Sequence, residues 1–227
     1  MTPELIPIFI IVFLASVILH EVAHGYVAYR FGDDTARLAG RLSLNPLVHI
    51  DPFGSILVPL LLLVSRAGFL FGWAKPVPVN PYRLRGGARA YRWVALAGIG
   101  TNLCLALVAA GVLKVVTTVL ELPTQNLGVI FFGLAFYLNV ILALFNALPF
   151  PGFDGFNFLT TFSAFGNFIS KTPLGDPLFM VRYGLLLSLA LLYLFSTTVS
   201  RLIIYVLAWL ANFFGITDVL ASVLTYF

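Results

Sequence analysis

Long apolar runs separated by short polar segments dominate the pattern along this chain of 227 residues. A helix needs about 20 apolar residues to cross a hydrocarbon core roughly 30 Å thick. Runs of that length lie at 5–29, 93–120, 127–149, 178–197 and 199–214. Since they fill most of the chain and no linker, repeat or composition break divides them, the pattern predicts one domain, 1–227. Its expected fold is an all-α integral membrane protein, a polytopic bundle of about five to six transmembrane helices.

A further apolar stretch, residues 53–73, has features that weaken a straight spanning helix. It contains Pro59, Arg66, Gly68 and Gly72, and proline and glycine interrupt helices. Basic loops flank it on both sides, and Lys and Arg in short loops favour the cytoplasmic face. Both loops can lie on that face only if the stretch does not cross. We therefore expect 53–73 to be a re-entrant or β-hairpin-like membrane segment, which requires a protein-lined or water-filled cavity around it.

Composition and charge narrow the class of protein. With 60% hydrophobic and 10% charged residues, the chain has too few polar residues to cover a water-soluble fold. The net charge of +4 lies mainly in loops and includes no basic run interleaved with surface aromatics, so nucleic-acid binding is not expected. The lone cysteine, Cys104, excludes a disulfide and a cysteine-based zinc site. The prediction is a multi-pass protein of the cell membrane.

The first apolar run contains the motif His20-Glu21-Val22-Ala23-His24. Positions i and i+4 share one helix face, so His20 and His24 can offer two imidazole nitrogens to one ion, with Glu21 beside them. This is the zinc-protease pattern in which the Glu acts as general base. Ionisable groups at such depth are costly and mark functional sites. The alternative is that they pair with each other or with backbone carbonyls and only hold helices together.

A catalytic zinc ion usually takes three protein ligands and keeps one position for water. Asp154 is a candidate third ligand, because prolines and glycines break the helix just before it, and such irregular backbone at membrane depth lines a cavity. Asp154 could instead be the N-cap of a following helix. His49 competes for the third position, or would orient a ligand or the substrate. If 53–73 does not cross, Asp154 and His20 both lie toward the cytoplasmic side.

Several motifs together resemble the site-2 protease family of intramembrane zinc metalloproteases, in particular small prokaryotic members without a PDZ domain. Besides the His-Glu-x-x-His helix, Asn146, Pro149, Asp154 and Gly155 match its Asn-x-x-Pro-x-x-x-x-Asp-Gly pattern. Further matching blocks are 40–46, 49–52 and 71–80. One departure is Gly98-Ile99-Gly100-Thr101-Asn102, where the family tends to have Gly-Pro-x-x-Asn. The resemblance implies two ligands and a base from the first helix and a third ligand from Asp154.

Two asparagines lie beside these motifs. Buried amides in membranes most often bridge helices, but Asn102 and Asn146 could instead hold an extended substrate or stabilise the transition state, as the resemblance implies for Asn102.

The expected activity is hydrolysis of peptide bonds within or near transmembrane segments of a membrane-protein or membrane-peptide substrate in the lipid bilayer, with Zn²⁺ as cofactor. The expected role is regulated intramembrane proteolysis. A membrane metal-ion transporter or metal-binding scaffold is the alternative, and it has no need of a non-ligand carboxylate at Glu21.

Overall fold

The computed structural model describes residues 3–64 and 74–227. These residues form ten α-helices and no strand, which confirms the predicted all-α class. The helices are α1 (Ile6–Arg30), α2 (Thr35–Leu38), α3 (Val58–Val64), α4 (Gly87–Thr118), α5 (Leu127–Asn146), α6 (Asp154–Thr160), α7 (Ser163–Ile169), α8 (Pro177–Leu194), α9 (Ser196–Phe214) and α10 (Thr217–Leu224). Short 3₁₀ turns occur at Pro3–Leu5, Pro46–His49, Pro81–Arg83 and Pro173–Gly175, and a π-helical turn at Pro52–Leu57.

Among the described residues, five helices are long and apolar enough to cross a membrane: α1, α4, α5, α8 and α9. They correspond to the five predicted runs. The largest difference is that α4 begins at Gly87 rather than near 93, because its basic first turns stay helical. Arg92 in those turns donates from Nε to the Thr161 hydroxyl at 2.9 Å and lies 4.4 Å from the centre of the Phe162 ring.

The main apolar core lies where α4, α5, α9 and α10 meet. Small side chains on α4 let the other helices approach closely. The buried members are Ala106, Ala109, Ala110, Leu113, Val129, Phe136, Val140, Leu207, Ala211, Ile216, Leu220 and Val223. In the most apolar part of α5, 50% of the residues are buried inside the protein, whereas only 11% are buried in the most apolar part of α8. Apolar side chains on α8 therefore face outward, as expected for a helix in contact with lipid.

The described part of 53–73 is helical, through the π-turn Pro52–Leu57 and then α3. Helical backbone satisfies its own N–H and C=O groups, so this part offers no strand edge of a β-hairpin. Residues 65–73 lie outside the described residues, and re-entry of the whole stretch stays a prediction.

The two basic loops meet at one end of the bundle, as predicted. The Arg85 N–H donates to the Phe31 carbonyl at 2.7 Å, and the Arg83 guanidinium lies 2.8 Å from the Asp34 carboxylate. These contacts join the end of α1 to the segment that leads into α4. The candidate site lies next to this end.

Candidate metal centre

Helix α1 presents two imidazoles on one face near its C-terminal half. His20 and His24 are one turn apart, and their Nε2 atoms lie 3.1 Å from each other. Their rings meet edge to face, with centroids 4.7 Å apart. The i, i+4 spacing predicted this convergence.

Asp154 is the first residue of α6, after the irregular turn that ends α5. The N-cap position belongs to Phe153, and no side chain caps the helix, so the N-cap role considered for Asp154 is wrong. The carboxylate turns toward α1 instead. Gly155 makes this turn possible, because a Cβ there would overlap the Ala147 carbonyl. Ser188 of α8 also donates to the Pro151 carbonyl in the same turn.

The carboxylate completes a compact triangle of donor atoms. Oδ2 of Asp154 lies 3.3 Å from His20 Nε2 and 3.1 Å from His24 Nε2. Donors about 2 Å from one tetrahedral ion lie about 3.3 Å apart. Oδ2 is buried and accepts no hydrogen bond, which is costly for a carboxylate without a cation. Among the described residues, these three form the group of His, Cys, Asp and Glu side chains that could hold a metal ion.

The outer nitrogen of each imidazole faces an oxygen. His20 Nδ1 lies 2.6 Å from Oδ1 of Asn102, and His24 Nδ1 lies 2.7 Å from the Val94 carbonyl. Both oxygens accept, so each Nδ1 carries a proton, and a neutral ring then has its lone pair on Nε2. This is the tautomer that a metal ligand needs, oriented from outside as in known metal sites.

Gly98 on α4 leaves the space that the imidazole pair occupies. A Cβ at this position would overlap ring atoms of both His20 and His24 at distances that real atoms do not reach. Any larger residue would displace at least one ring. Gly98, Val94 and Asn102 lie on one face of α4, so this face backs the whole imidazole pair.

Glu21 lies next to His20 in sequence but outside the triangle. Its carboxylate accepts the Val77 N–H at 2.8 Å. Segment 74–80, which contains Val77, is held by further contacts against the stretch that follows α1. Arg41 donates to the carbonyls of Lys75 and Pro76, and the Asn80 N–H donates to Asp33 at 2.6 Å.

Three comparisons with known proteins bear on this geometry. The protein named "Putative zinc metalloprotease YwhC" of Bacillus subtilis is 41% identical over 159 residues, which cover 69% of this chain and 69% of that protein. The chain belongs to the YwhC family. Rip2 of Mycolicibacterium smegmatis and Rip2 of Mycobacterium tuberculosis, which bear the same zinc metalloprotease description, are each 34% identical. They match 64% and 63% of this chain, which spans about half of their length, 53% and 52%. No family model and no solved structure matches.

His49 does not join the triangle in this YwhC-family chain. It is buried, its Nε2 lies 2.8 Å from the Ser43 carbonyl, and its own carbonyl accepts the Lys75 N–H at 2.9 Å. Asp154, rather than His49, lies beside the two imidazoles, and His49 instead contacts segment 74–80. Asn146 donates to the Leu142 carbonyl on its own helix at 2.9 Å, so it is not brought into contact with the triangle.

Sequence reasoning missed Asn139, which lies at the middle of α5. Its amide oxygen accepts from Asn102 at 2.8 Å, and Asn102 in turn contacts His20. The sequence signal for Asn139 was an amide within a long apolar run of this YwhC-family chain, since polar groups at membrane depth are costly. The partner across the helices could not be read from that signal alone.

Proposed function

We propose that this protein is an intramembrane zinc metalloprotease of the site-2 protease type. The observation that carries the proposal is the triangle of His20, His24 and Asp154, formed between the long apolar helix α1 and the short helix α6, with Glu21 next to His20 in sequence. Two imidazoles and a carboxylate match the ligand types of catalytic zinc sites, which leave a fourth position for water. The names of the matched YwhC and Rip2 proteins support zinc as the ion and peptide hydrolysis as the reaction.

His20, His24 and Asp154 would hold the ion, and Glu21 would act as general base. When bound, zinc would polarise the scissile carbonyl and lower the pKa of the attacking water toward about 7. Glu21 would accept a proton from the attacking water as the new C–O bond forms at the scissile carbon, and would then give that proton to the nitrogen of the leaving amine as the C–N bond breaks. The Val77 N–H orients the Glu21 carboxylate for this transfer.

The remaining predicted residues receive roles that fit their surroundings. Asn102 is completely buried and bonded to His20, which favours orienting a ligand over touching the substrate. Asn146 is half-buried at the end of α5, close in sequence to the Asp154 turn, and its substrate role stays a prediction. His49 supports the segment that carries Val77.

The proposed substrate is a transmembrane segment of another membrane protein, unwound locally in the lipid bilayer before cleavage. The active site would lie toward the cytoplasmic side of the cell membrane. This sidedness rests on the basic loops. They lie at the end of the bundle that is next to His24, and short loops rich in Lys and Arg favour the cytoplasmic side.

The test uses purified full chain in lipid vesicles, loaded with zinc, together with a panel of membrane-embedded substrates. Wild type is compared with Glu21→Gln, and Glu4→Gln serves as the matched control at an exposed position. Glu21→Gln should retain one zinc ion per chain and lose cleavage by at least about 100-fold. Glu4→Gln should cleave like wild type.

Equal cleavage by wild type and Glu21→Gln would exclude the proposed mechanism. Zinc flux into the vesicles that is unaffected by Glu21→Gln, with no cleavage by any variant, would favour the transporter alternative. Cleavage products mapped by mass spectrometry would locate the cut within or near the membrane segment.

A further inference from the structure

A buried chain of hydrogen bonds leads from His20 through three helices. His20 Nδ1 meets Asn102 Oδ1 at 2.6 Å, and Asn102 Nδ2 donates to Asn139 Oδ1 at 2.8 Å. Asn139 Nδ2 donates to Ser16 Oγ and to the Ala135 carbonyl, both at 2.8 Å. Ser16 then donates to the Val12 carbonyl at 2.8 Å. The chain thus starts on α1, crosses α4 and α5, and returns to α1.

All its side chains are withdrawn from the surface. Asn102 is 0% exposed, Asn139 2%, Ser16 3% and His20 7%. Burying an amide is costly unless its hydrogen bonds are made, yet Asn139 lies in the most deeply buried of the five long apolar helices. An apolar residue there would avoid this cost. The fully bonded state of Asn139 therefore indicates a role beyond packing.

The direction of every bond follows from the two groups that surround the Asn139 amide. The Ala135 carbonyl can only accept, and Ser16 spends its proton on the Val12 carbonyl. Both therefore require donors, so the NH₂ end of Asn139 must face them and its Oδ1 must face Asn102. Asn102 then has to present its own NH₂ to Asn139, which leaves its Oδ1 toward His20.

We propose that Asn139 is a positioning residue that sets the tautomer of His20 through Asn102. With Oδ1 of Asn102 facing it, His20 carries its proton on Nδ1 and keeps the Nε2 lone pair for the metal. Without Asn139, the Asn102 amide can turn and present its NH₂ to Nδ1. His20 would then carry its proton on Nε2, where a metal cannot bind. This inference rests on the proposed metal site.

Three variants of the full chain test the role. Asn139→Leu replaces the amide with an apolar group of the same branched shape and the same number of heavy atoms. Asn139→Asp is the conservative variant, because an oxygen of Asp accepts from Asn102 in either protonation state. Leu138→Ala is the structural control, since it trims a buried neighbour on α5 that packs with Val12 and Leu134 and lies outside the hydrogen-bond chain.

The main measurement is ¹⁵N NMR of metal-free, histidine-labelled protein in lipid nanodiscs. The chain has three histidines, so His20 can be assigned, and its two nitrogen shifts report which one carries the proton. Wild type and Asn139→Asp should show Nδ1–H at His20. Asn139→Leu should show a population in which Nδ1 of His20 carries no proton; Nε2–H alone does not discriminate the variants, because Nε2 also has the Asp154 carboxylate 3.3 Å away. Leu138→Ala should keep the wild-type signal although it lowers the thermal unfolding midpoint.

The second measurement is zinc affinity in competition with a chelator. Asn139→Leu should weaken it by about 10-fold, the lower end of the effect of groups that orient a ligand, and Asn139→Asp should restore it. An unchanged His20 tautomer in Asn139→Leu would overturn the inference, as would an equal shift in Leu138→Ala. If wild type bound no zinc, the proposed function would fail, but the tautomer of the metal-free protein would still decide the role of Asn139.

Discussion

The Val77 N–H donates to the Glu21 carboxylate at 2.8 Å, across 56 residues of sequence. Val77 lies between two prolines, Pro76 and Pro78, which have no N–H of their own. It is therefore the one residue of this triplet that can donate from the backbone. The contact ties the proposed general base to a segment that follows the predicted membrane-dipping stretch.

Val77→Pro should slow peptide cleavage by roughly 10-fold while zinc stays bound. Proline removes the donor, so Glu21 loses the bond that orients it, and part of the contribution of general base catalysis is lost. Zinc content does not depend on this bond, because Glu21 lies outside the triangle. Cleavage rates and zinc stoichiometry should be measured on the same preparations.

Val77→Ala is the matched control for this change. It trims the same buried side chain but keeps the N–H, so its cleavage rate should stay close to that of wild type. If the alanine variant were slowed as much as the proline variant, packing rather than the hydrogen bond would explain the loss.

Gly98→Ala should weaken zinc binding by more than about 10-fold. The added Cβ would overlap ring atoms of His20 and His24, and a displaced ring no longer points its Nε2 at the ion. Gly100→Ala on the same helix is the control, since a Cβ there meets nothing within 4 Å. Chelator competition on both variants measures the effect, and similar affinities would show that the imidazoles can shift without loss.

Asp154→Ala should lose zinc by more than about 100-fold in affinity, because a ligand contributes more than a group that orients one. His49→Ala should retain one zinc ion per chain, since His49 contacts Ser43 and not the triangle. Bound zinc per chain after gel filtration separates the two. If His49→Ala lost zinc and Asp154→Ala retained it, His49 rather than Asp154 would be the third ligand.

Much of the fold could be predicted because membrane helices leave a strong pattern. About 20 apolar residues in a row have few alternatives to a spanning helix in lipid, and all five runs form helices long and apolar enough to span. The start of α4 was misplaced because its first turns carry Arg89 and Arg92, which an apolarity pattern assigns to a loop. A helix that extends beyond the hydrocarbon loses this signal.

The candidate site was predictable only where local spacing or a broken helix carried the information. His20 and His24 follow from i, i+4 geometry, and the irregular turn before Asp154 distinguished it from other acidic residues. The contacts of Val77, Gly98 and Asn139 depend on how distant segments pack. Sequence spacing alone holds no information on such pairs.

Asp33 lies in the loop after α1 and accepts the Asn80 N–H, so the stability of this contact with segment 74–80 should depend on pH. Burial raises the pKa of its carboxyl, but hydrogen bonds from Thr35 and from the Asn80 N–H, together with the charge of Arg83, outweigh this, so the pKa lies below its ordinary value of 3.8. A carboxylate with a depressed pKa contributes stability above the pKa of the unfolded chain, and this stability is lost as pH falls through the lower folded value.

Asp33→Ala should therefore unfold at a lower temperature than wild type at pH 7. The difference between the two unfolding temperatures, here called the gap, should stay constant down to about pH 5. It should narrow below about pH 4, where the carboxylate of wild type becomes protonated. Thermal unfolding of both proteins in detergent micelles across this range measures it. Asp176→Ala, at the exposed N-cap of α8, is the control and should show a smaller gap. A gap for Asp33→Ala that widened on acidification would contradict the depressed pKa.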